Sequence, residues 1–236
     1  MIFWYPNIKD SQDILKVLEQ HSKYIEIQFP FSDPISDGDT IYSANQIALK
    51  QDISLDDYFD FIQKYSSKNN IIIMTYLNII HNYGIEEFFT SAQETWIYWI
   101  IIPDLAIDTP LFFKMKSIAW YYDIKIILSL SPNTHLERKK KIVKLSKGFV
   151  YAISQDMITW NTSKFGEVFQ NYISELKEIS EVPIGVWFGI SKIEDIKIVS
   201  DFSDYVIIWS ELIRRYQKWW ILWLEKYLTS ISNTLS

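Results

Sequence analysis

The chain has 236 residues, a formal net charge of -6 and no cysteine. Its length suits one α/β domain of barrel size, and no Pro/Gly/Ser-rich linker divides it, so we expect a single domain over residues 1–236. Scattered Lys and Arg exclude the basic stripe of a nucleic-acid binder, and the absence of cysteine excludes disulfides and thiolate metal sites.

Three histidines lie far apart in the sequence, which makes a metal centre improbable, and we expect neither metal nor cofactor. No apolar run approaches the roughly 18 residues of a membrane span, and the first residues are too short for a signal peptide. These features predict a cytoplasmic protein without a membrane anchor. The basic run at residues 138–141 is interpreted as a solvated helix face.

Short runs rich in Ile, Val, Phe and Tyr recur along the chain and predict eight strands. These runs are residues 2–3, 24–29, 71–76, 97–102, 124–128, 149–153, 184–188 and 205–208. Amphipathic stretches between them, such as residues 11–22 and 134–145, predict helices. Because most runs are apolar throughout, they are typical of parallel strands buried on both faces, and eight βα units of this length predict a (β/α)8 TIM barrel.

An open, doubly wound sheet is the alternative, because hydrophobic periodicity does not show whether a sheet closes. No G-x-G-x-x-G follows the first predicted strand, so the dinucleotide signature of the open fold is absent. In a barrel, functional groups lie at the carboxyl ends of the strands and in the loops that follow them.

Two carboxylates lie on and after the second predicted strand, in the stretch YIEIQFPFSDPISDGDT. Alternation puts Glu26 on the opposite face from Ile25 and Ile27, so its carboxylate can point into an apolar interior, where burial raises a pKa and favours a proton donor. Asp37 stands in a turn-rich loop before Gly38. One carboxylate could act as an acid and the other as a hydrogen-bond acceptor. Alternatively, Glu26 could be a structural residue held by a hydrogen bond, and Asp37 could form a turn or a helix cap.

The segment EIQFPFSDPISDG belongs to an ordered series of short motifs that covers nearly the whole chain. The others are WYPN at 4, IIIMTYLNIIHNYG at 71, IIIPDL at 100, SLSPNTHLER at 129, GFVYAIS at 148, VWFGIS at 186 and IIWSELIRR at 207. Together they resemble the tryptophan synthase alpha subunit family, whose signature is E-[IL]-G-x-P-F-S-D-P-x-A-D-G. The short helix that usually precedes the first strand is lacking, so we expect incomplete cover at the bottom of the barrel.

The resemblance implies a TIM barrel that cleaves indole-3-glycerol phosphate to indole and glyceraldehyde 3-phosphate by a retro-aldol-type reaction. The indole then passes to a pyridoxal-phosphate beta subunit within an alpha2-beta2 heterotetramer. The alpha chain itself would need no cofactor.

The resemblance also implies roles for four residues. Glu26 would protonate indole C3, and Asp37 would accept a hydrogen bond from the indole N–H and stabilise the charge that develops on the ring. Tyr151 would lie near the glycerol portion of the substrate, and Thr159 would close over Asp37 and exclude water. Without the resemblance, Tyr151 and Thr159 read as packing and turn residues.

Six further positions follow from the resemblance. Three lie near strand ends and would form the apolar slot for indole, although core packing would explain them equally well: Tyr76, Ile127 and Phe188. Three others would face the beta subunit, although loop residues of these types need no partner: Asp33, Pro34 and Asn78.

Many barrels bind phosphate through backbone N–H groups after strands seven and eight, helped by the N-terminus of a short helix. By resemblance this site lies in VWFGIS and IIWSEL, with Gly189, Trp209 and Ser210 at the phosphate. The family has glycine where this chain has Trp187 and Trp209, because a missing Cβ lets the backbone approach closely. An indole at these positions would fill the space that the phosphate needs.

The chain has ten tryptophans and only six glycines, whereas ordinary usage predicts about 16 glycines at this length. The tryptophans stand where the family has or readily accepts glycine: Trp4, Trp96, Trp99, Trp120, Trp160, Trp187, Trp209, Trp219, Trp220 and Trp223. We hypothesise that the source genome reads UGA as glycine and that this sequence translates it as tryptophan. With glycine restored, residues 207–228 read as a strand, a phosphate loop, a Gly-Gly turn and a short helix.

The alternative interpretation is that the protein does contain these tryptophans. The stretch RRYQKWWILWLEKYL mixes Trp, Leu and basic residues as an interfacial membrane helix does. That interpretation leaves Trp96, Trp160 and Trp187 unexplained.

Three functions compete at this point. The first is the lyase described above, the second is a catalytically impaired barrel that serves only to activate its beta partner, and the third is another phosphate-binding barrel with a different sugar substrate. Gln28 and Met157 also replace usual family glycines, which puts local geometry in question and could alter closure of the Thr159 loop.

Overall fold

The computed structural model describes residues 1–34, 38–65, 70–154, 166–187 and 189–235. Its seven strands within these ranges are β1 (Tyr24–Gln28), β2 (Asn70–Met74), β3 (Trp99–Ile101), β4 (Lys125–Leu130), β5 (Val150–Ile153), β6 (Ile184–Trp187) and β7 (Tyr205–Ile207). An isolated parallel bridge joins Ile2 to Gln28 and marks the first predicted strand.

Ten α-helices lie in the described ranges, together with a short 3-10 helix (Leu49–Gln51). They are α1 (Ile8–His21), α2 (Asp39–Ala48), α3 (Leu55–Tyr65), α4 (Leu77–Tyr83), α5 (Ile85–Glu94), α6 (Pro110–Tyr121), α7 (Leu136–Leu145), α8 (Glu167–Ile179), α9 (Ile193–Phe202) and α10 (Ser210–Leu235). None of these helices is both long and apolar enough to cross a bilayer.

Parallel strands that alternate with helices confirm the predicted α/β, TIM-like class. The backbone N–H of Lys125 donates to the carbonyl oxygen of Tyr98 (2.8 Å), so β4 begins beside β3. A doubly wound sheet reverses its strand order at a switch point, which would place the fourth strand elsewhere. The sequential order therefore favours the barrel topology over the open alternative.

The chain divides into two compact units, Met1–Ile126 with Ile213–Leu228 and Ile127–Leu212 with Thr229–Ser236. The single domain predicted from the sequence is not tested by this grouping and stays a prediction.

The core of the first unit is aromatic. The ring of Phe3 packs edge-on against Tyr58 (4.8 Å between centroids) and Phe61 (5.1 Å), and Phe29 meets Tyr58 at 5.4 Å. The hydroxyl of Tyr58, which is completely buried, donates to the carbonyl oxygen of Ile27 (2.6 Å). This hydrogen bond ties α3 to the middle of β1.

The second unit contains a buried cation on α7. Lys139 is only 7% exposed, and its Nζ lies 2.6 Å from Glu175 Oε2 on α8 and 5.4 Å from the centre of the Tyr172 ring. The Tyr172 hydroxyl in turn donates to the carbonyl oxygen of Leu130 (2.7 Å). The interpretation of residues 138–141 as a uniformly solvated face is therefore wrong at Lys139, because its side chain turns inward between two helices.

Replacing Glu175 by Gln is expected to lower the free energy of unfolding by about 2 kcal/mol, because the ammonium of Lys139 stays buried without its counter-charge. The matched control is Glu137→Gln, which breaks the solvent-exposed pair Lys140–Glu137 (2.9 Å) and should change stability by less than about 0.5 kcal/mol. Urea denaturation of both variants measures the difference. An equal loss of unfolding free energy in the two variants would contradict the larger contribution of the buried pair.

Candidate functional site

Glu26 lies on the face of β1 that alternation assigns to it. Ile25 and Ile27 are 3% and 0% exposed, whereas Glu26 between them is half-buried and has its Oε1 atom shielded from solvent. Parallel pairing puts Glu26 in one row with Ile72 on β2 and Trp99 on β3. Residues in one row share a face, so the carboxylate lies beside Ile72 and Trp99. The buried N-terminal ammonium of Met1 also interacts electrostatically with Glu26.

A second row on the same face lies two residues nearer the carboxyl ends of the strands. It consists of Gln28, Met74 and Ile101. Gln28 is completely buried there, so this glycine-to-glutamine departure adds a side chain directly beyond Glu26. The carboxamide therefore narrows the space above the carboxylate on β1.

Aromatic rings lie at both ends of these strands. At the amino end, the ring of Tyr24 approaches that of Trp99 to 4.7 Å between centroids. After the strands, Phe31 stacks on Tyr76 with 4.5 Å between centroids and 22° between planes. Tyr76 is completely buried. The first unit thus combines a shielded carboxyl group with closely packed aromatic rings.

Phe31 is a further candidate lining residue, which was not predicted from the sequence. Phe31 is positioned by its backbone N–H, which donates to Oδ1 of the buried Asn45 (3.1 Å). Its signal was an aromatic residue directly after a strand end in the PFSDP segment.

Tyr58 supports the strand that carries the acid. Burial raises its pKa well above the usual value, and the negative charge of Glu26 raises it further. Tyr58 therefore stays protonated and keeps donating to Ile27, the residue next to Glu26. The backbone on which Glu26 depends is fixed by a side chain that cannot lose its proton under ordinary conditions.

The second unit has its own inward row built around Tyr151, which is 1% exposed. Ser129, Tyr151 and Gly185 lie side by side on β4, β5 and β6. Ile127 precedes Ser129 by two residues on β4 and is 1% exposed, so both predicted residues share this face.

Trp187, at the end of β6, covers Tyr151. The two rings meet edge-on at 5.4 Å, and Trp187 is 4% exposed. Its carbonyl oxygen accepts hydrogen bonds from the backbone N–H of Ser154 (3.0 Å) and from the Ser154 hydroxyl (2.9 Å). The indole therefore fills space beside the residue expected near the glycerol portion of the substrate.

The expected phosphate-binding positions also lie in the second unit. Gly189 has a φ of 72°, a conformation that favours glycine. Trp209 is 5% exposed and directly precedes Ser210, the first residue of α10. The backbone N–H of Leu212 donates to the carbonyl oxygen of Trp209 (3.0 Å), so the first turn of the helix begins there. A helix N-terminus presents N–H groups that suit an anion.

The three expected partner-facing residues lie at the surface of the first unit. Asp33 and Asn78 are exposed and Pro34 is half-buried. Asp33 accepts a hydrogen bond from the Ser32 hydroxyl (2.5 Å), while Asn78 lies in the first turn of α4.

Three predicted site residues lie outside the described residues: Asp37, Thr159 and Phe188. Met157 and Trp160 lie outside them as well. The remaining site residues fall into two groups, with Glu26 and Tyr76 in the first unit and the others in the second: Ile127, Tyr151, Gly189, Trp209 and Ser210. In the described ranges, no three His, Asp or Glu side chains are grouped to hold a metal ion.

Comparison with known proteins gives one consistent result. A family model described as Tryptophan synthase alpha chain matches residues 1–227. The tryptophan synthase alpha chain of Staphylococcus aureus (strain Newman) is 33% identical over 237 residues, covering 98% of this chain and 97% of the relative.

Two solved structures are similar along nearly the whole chain. Tryptophan synthase subunit alpha from Campylobacter jejuni superposes with a TM-score of 0.88 at 29% identity, covering 98% of this chain and 93% of that one. A chain of the tryptophan synthase complex from Pyrococcus furiosus gives 0.83 at 26% identity, covering 100% and 95%.

Tyr58→Phe is expected to lower the free energy of unfolding by about 1–2 kcal/mol, because the carbonyl oxygen of Ile27 loses its buried donor. Tyr83→Phe is the control, since the Tyr83 hydroxyl donates to Asp56 at an exposed position (2.6 Å) and water can replace it. Its loss should be about 0.5 kcal/mol. Chemical denaturation compares the two, and an equal or larger loss for Tyr83→Phe would refute the assigned importance of Tyr58.

Proposed function

The chain belongs to the tryptophan synthase alpha chain family, whose members cleave indole-3-glycerol phosphate, and from this premise we propose that Glu26 is the acid of that reaction. The observation that carries the proposal is the placement of Glu26, a half-buried carboxyl group whose Oε1 is shielded from solvent and which lies in one row with Ile72 and Trp99. The proposal requires this carboxyl group to hold a proton when the substrate is bound.

The proposed reaction begins with proton transfer from Glu26 to indole C3. The ring becomes an indolenine, and its positively polarised nitrogen draws electrons from the bond between C3 and the glycerol chain. When that bond breaks, its electron pair returns to the ring and indole forms. The adjacent glycerol hydroxyl loses its proton and becomes the aldehyde of glyceraldehyde 3-phosphate. The carboxylate left on Glu26 is the group that can accept this proton.

The indole ring is proposed to bind on the apolar rows of the first unit. The stacked pair Phe31 and Tyr76, which follow the carboxyl ends of β1 and β2, offers a flat surface. We further propose that Asp37 accepts the indole N–H hydrogen bond, that Phe188 lines the slot and that Thr159 closes over the site.

For the glycerol and phosphate portions we propose the residues that the family motifs mark on β5 and at the start of α10. Tyr151 would lie near the glycerol portion, and Ile127 is proposed as a residue of the apolar slot for indole. Main-chain N–H groups near Gly189 and at the start of α10, where Trp209 and Ser210 lie, would take the phosphate. A left-handed glycine and the N-terminus of a helix support this assignment, because both can bring backbone donors close to an oxyanion.

The proposed partner is a tryptophan synthase beta subunit in an alpha2-beta2 complex, and the proposed location is the cytoplasm. The Pyrococcus furiosus relative was solved in a tryptophan synthase complex. Exposed Asp33 and Asn78, with half-buried Pro34 next to Asp33, are proposed as contact residues on this chain.

One observation favours a second candidate function. Trp187 packs on Tyr151 and Trp209 is buried before α10, so two indoles occupy the region proposed for the substrate tail. With these side chains the barrel would be a poor lyase and could serve only to activate the beta subunit. Indole release and stimulation of the beta subunit, measured separately, distinguish the two functions.

Glu26→Gln is expected to lower indole release from indole-3-glycerol phosphate at least about 100-fold, because an amide of the same shape cannot supply the proton. Release is measured on the given chain and on a chain with glycine at the ten tryptophan positions. Glu137→Gln on the exposed surface of α7 is the control and should keep full activity. A Glu26→Gln variant that releases indole at an unchanged rate would disprove the proposed role.

A further inference from the structure

Three tryptophans have a backbone conformation that suits glycine. Among the described residues, the non-glycine residues with positive φ are Trp4 (56°), Asp52 (43°), Trp96 (60°), Asp123 (55°) and Trp220 (66°). Aspartate tolerates the left-handed region, because its short polar side chain can form local hydrogen bonds, whereas a bulky residue there is an outlier. The conformation therefore needs an explanation only at the tryptophans.

Trp4 occupies a tight turn from Ile2 to Tyr5. The backbone N–H of Tyr5 donates to the carbonyl oxygen of Ile2 (3.3 Å), which makes Trp4 the third residue of the turn. Positive φ at that position defines turns that ordinarily carry glycine there. The side chain gains little in return, because Nε1 of Trp4 is buried with no hydrogen-bond partner among the described residues.

Trp96 ends helix α5 in a Schellman motif. Its N–H donates to the carbonyl oxygen of Gln93 (3.0 Å), and the N–H of Ile97 donates to that of Ala92 (2.9 Å). In this motif the residue in the left-handed conformation is usually glycine. Trp96 projects into solvent, with 75% of its surface exposed, so packing does not explain its presence.

Helix α6 ends in the same motif with a different residue. The N–H of Asp123 donates to the carbonyl oxygen of Trp120 (3.1 Å), and the N–H of Ile124 donates to that of Ala119 (2.7 Å). Asp123 there has a φ of 55°. The chain thus contains a matched pair of helix ends, one with a tolerated residue and one with tryptophan.

Trp220 interrupts helix α10 with φ 66° and ψ -171°. This part of the backbone map is populated almost only by glycine. Trp220 is 67% exposed, and its neighbours Trp219 and Trp223 are 39% and 47% exposed. The kink therefore has a glycine geometry, while the indoles around it remain largely in water.

We infer that the functional protein carries glycine at Trp4, Trp96 and Trp220 and, through one shared codon, at the other seven tryptophans. Reading UGA as glycine in the source organism is a single cause that acts at all ten positions. The backbone evidence is independent of the proposed lyase activity. At Trp187 and Trp209 the inference does bear on that activity, because glycine there would remove two indoles from the region proposed for the substrate tail.

The direct test is peptide mass spectrometry of the protein from its native source, together with the codons of the ten positions. Glycine in the peptides and UGA in the gene are the expected results. Tryptophan in the peptides, or ten UGG codons, would overturn the inference. Neither result depends on whether the protein cleaves indole-3-glycerol phosphate.

The physical test uses single variants of the given chain. Trp4→Gly, Trp96→Gly and Trp220→Gly should each lower the unfolding equilibrium constant about tenfold, because the left-handed strain disappears. Trp120→Gly is the control for loss of an exposed indole from ordinary helix, and it should raise that constant. Asp123→Gly, at the matched helix end, should lower the constant by less than Trp96→Gly does.

If the chain with ten tryptophans does not fold, the reverse substitutions, from glycine to tryptophan, are used. Tryptophan is then introduced singly into a chain with glycine at all ten positions. The loss of stability should be larger at positions 4, 96 and 220 than at position 120. Equal losses at all four positions, or stabilisation by tryptophan at the first three, would overturn the structural argument.

Discussion

The registration of β1 against β2 is the constraint on which the proposed chemistry depends. Side chains alternate along a strand, so a slip of one residue would send Glu26 to the helix side and bring Ile25 or Ile27 to the interior. Two features oppose that slip. Both isoleucines are buried, and the Tyr58 hydroxyl donates a hydrogen bond to the carbonyl oxygen of Ile27. The position of the acid is thus secured by apolar packing and one hydrogen bond.

Much of the fold follows from short-range sequence features. Runs of Ile and Val predict buried parallel strands, and the alternation around Glu26 predicts its face correctly because both depend only on neighbours along the chain. The prediction that the Lys139 side chain is exposed was wrong, because its burial depends on Glu175 and Tyr172 on another helix. Likewise, the stacking of Phe31 on Tyr76 joins loops after two different strands, and no local pattern encodes it.

The site was predictable to a different extent in each unit. In the first unit, strand alternation and motif resemblance led to Glu26 and Tyr76, but the row that joins Glu26 to Ile72 and Trp99 depends on the pairing of three strands. In the second unit, resemblance located Gly189 and Ser210. It could not show that the Trp187 ring lies against Tyr151, since that contact depends on how β5 and β6 pair.

The strained tryptophans occur where the backbone changes direction. Trp4 lies in a turn directly after the Ile2 bridge, Trp96 at a helix end and Trp220 at a kink within α10. An interfacial membrane helix would account for Trp219, Trp220 and Trp223, and Lys218 and Lys226 do lie over two of these rings. It would not account for Trp4 or Trp96, which belong to other elements. Membrane binding also places no demand on φ, whereas a missing Cβ satisfies all three conformations at once. Backbone geometry therefore favours the glycine interpretation. Glycine explains the tryptophans of α10 and those of other elements by a single cause, whereas a membrane helix explains only the former.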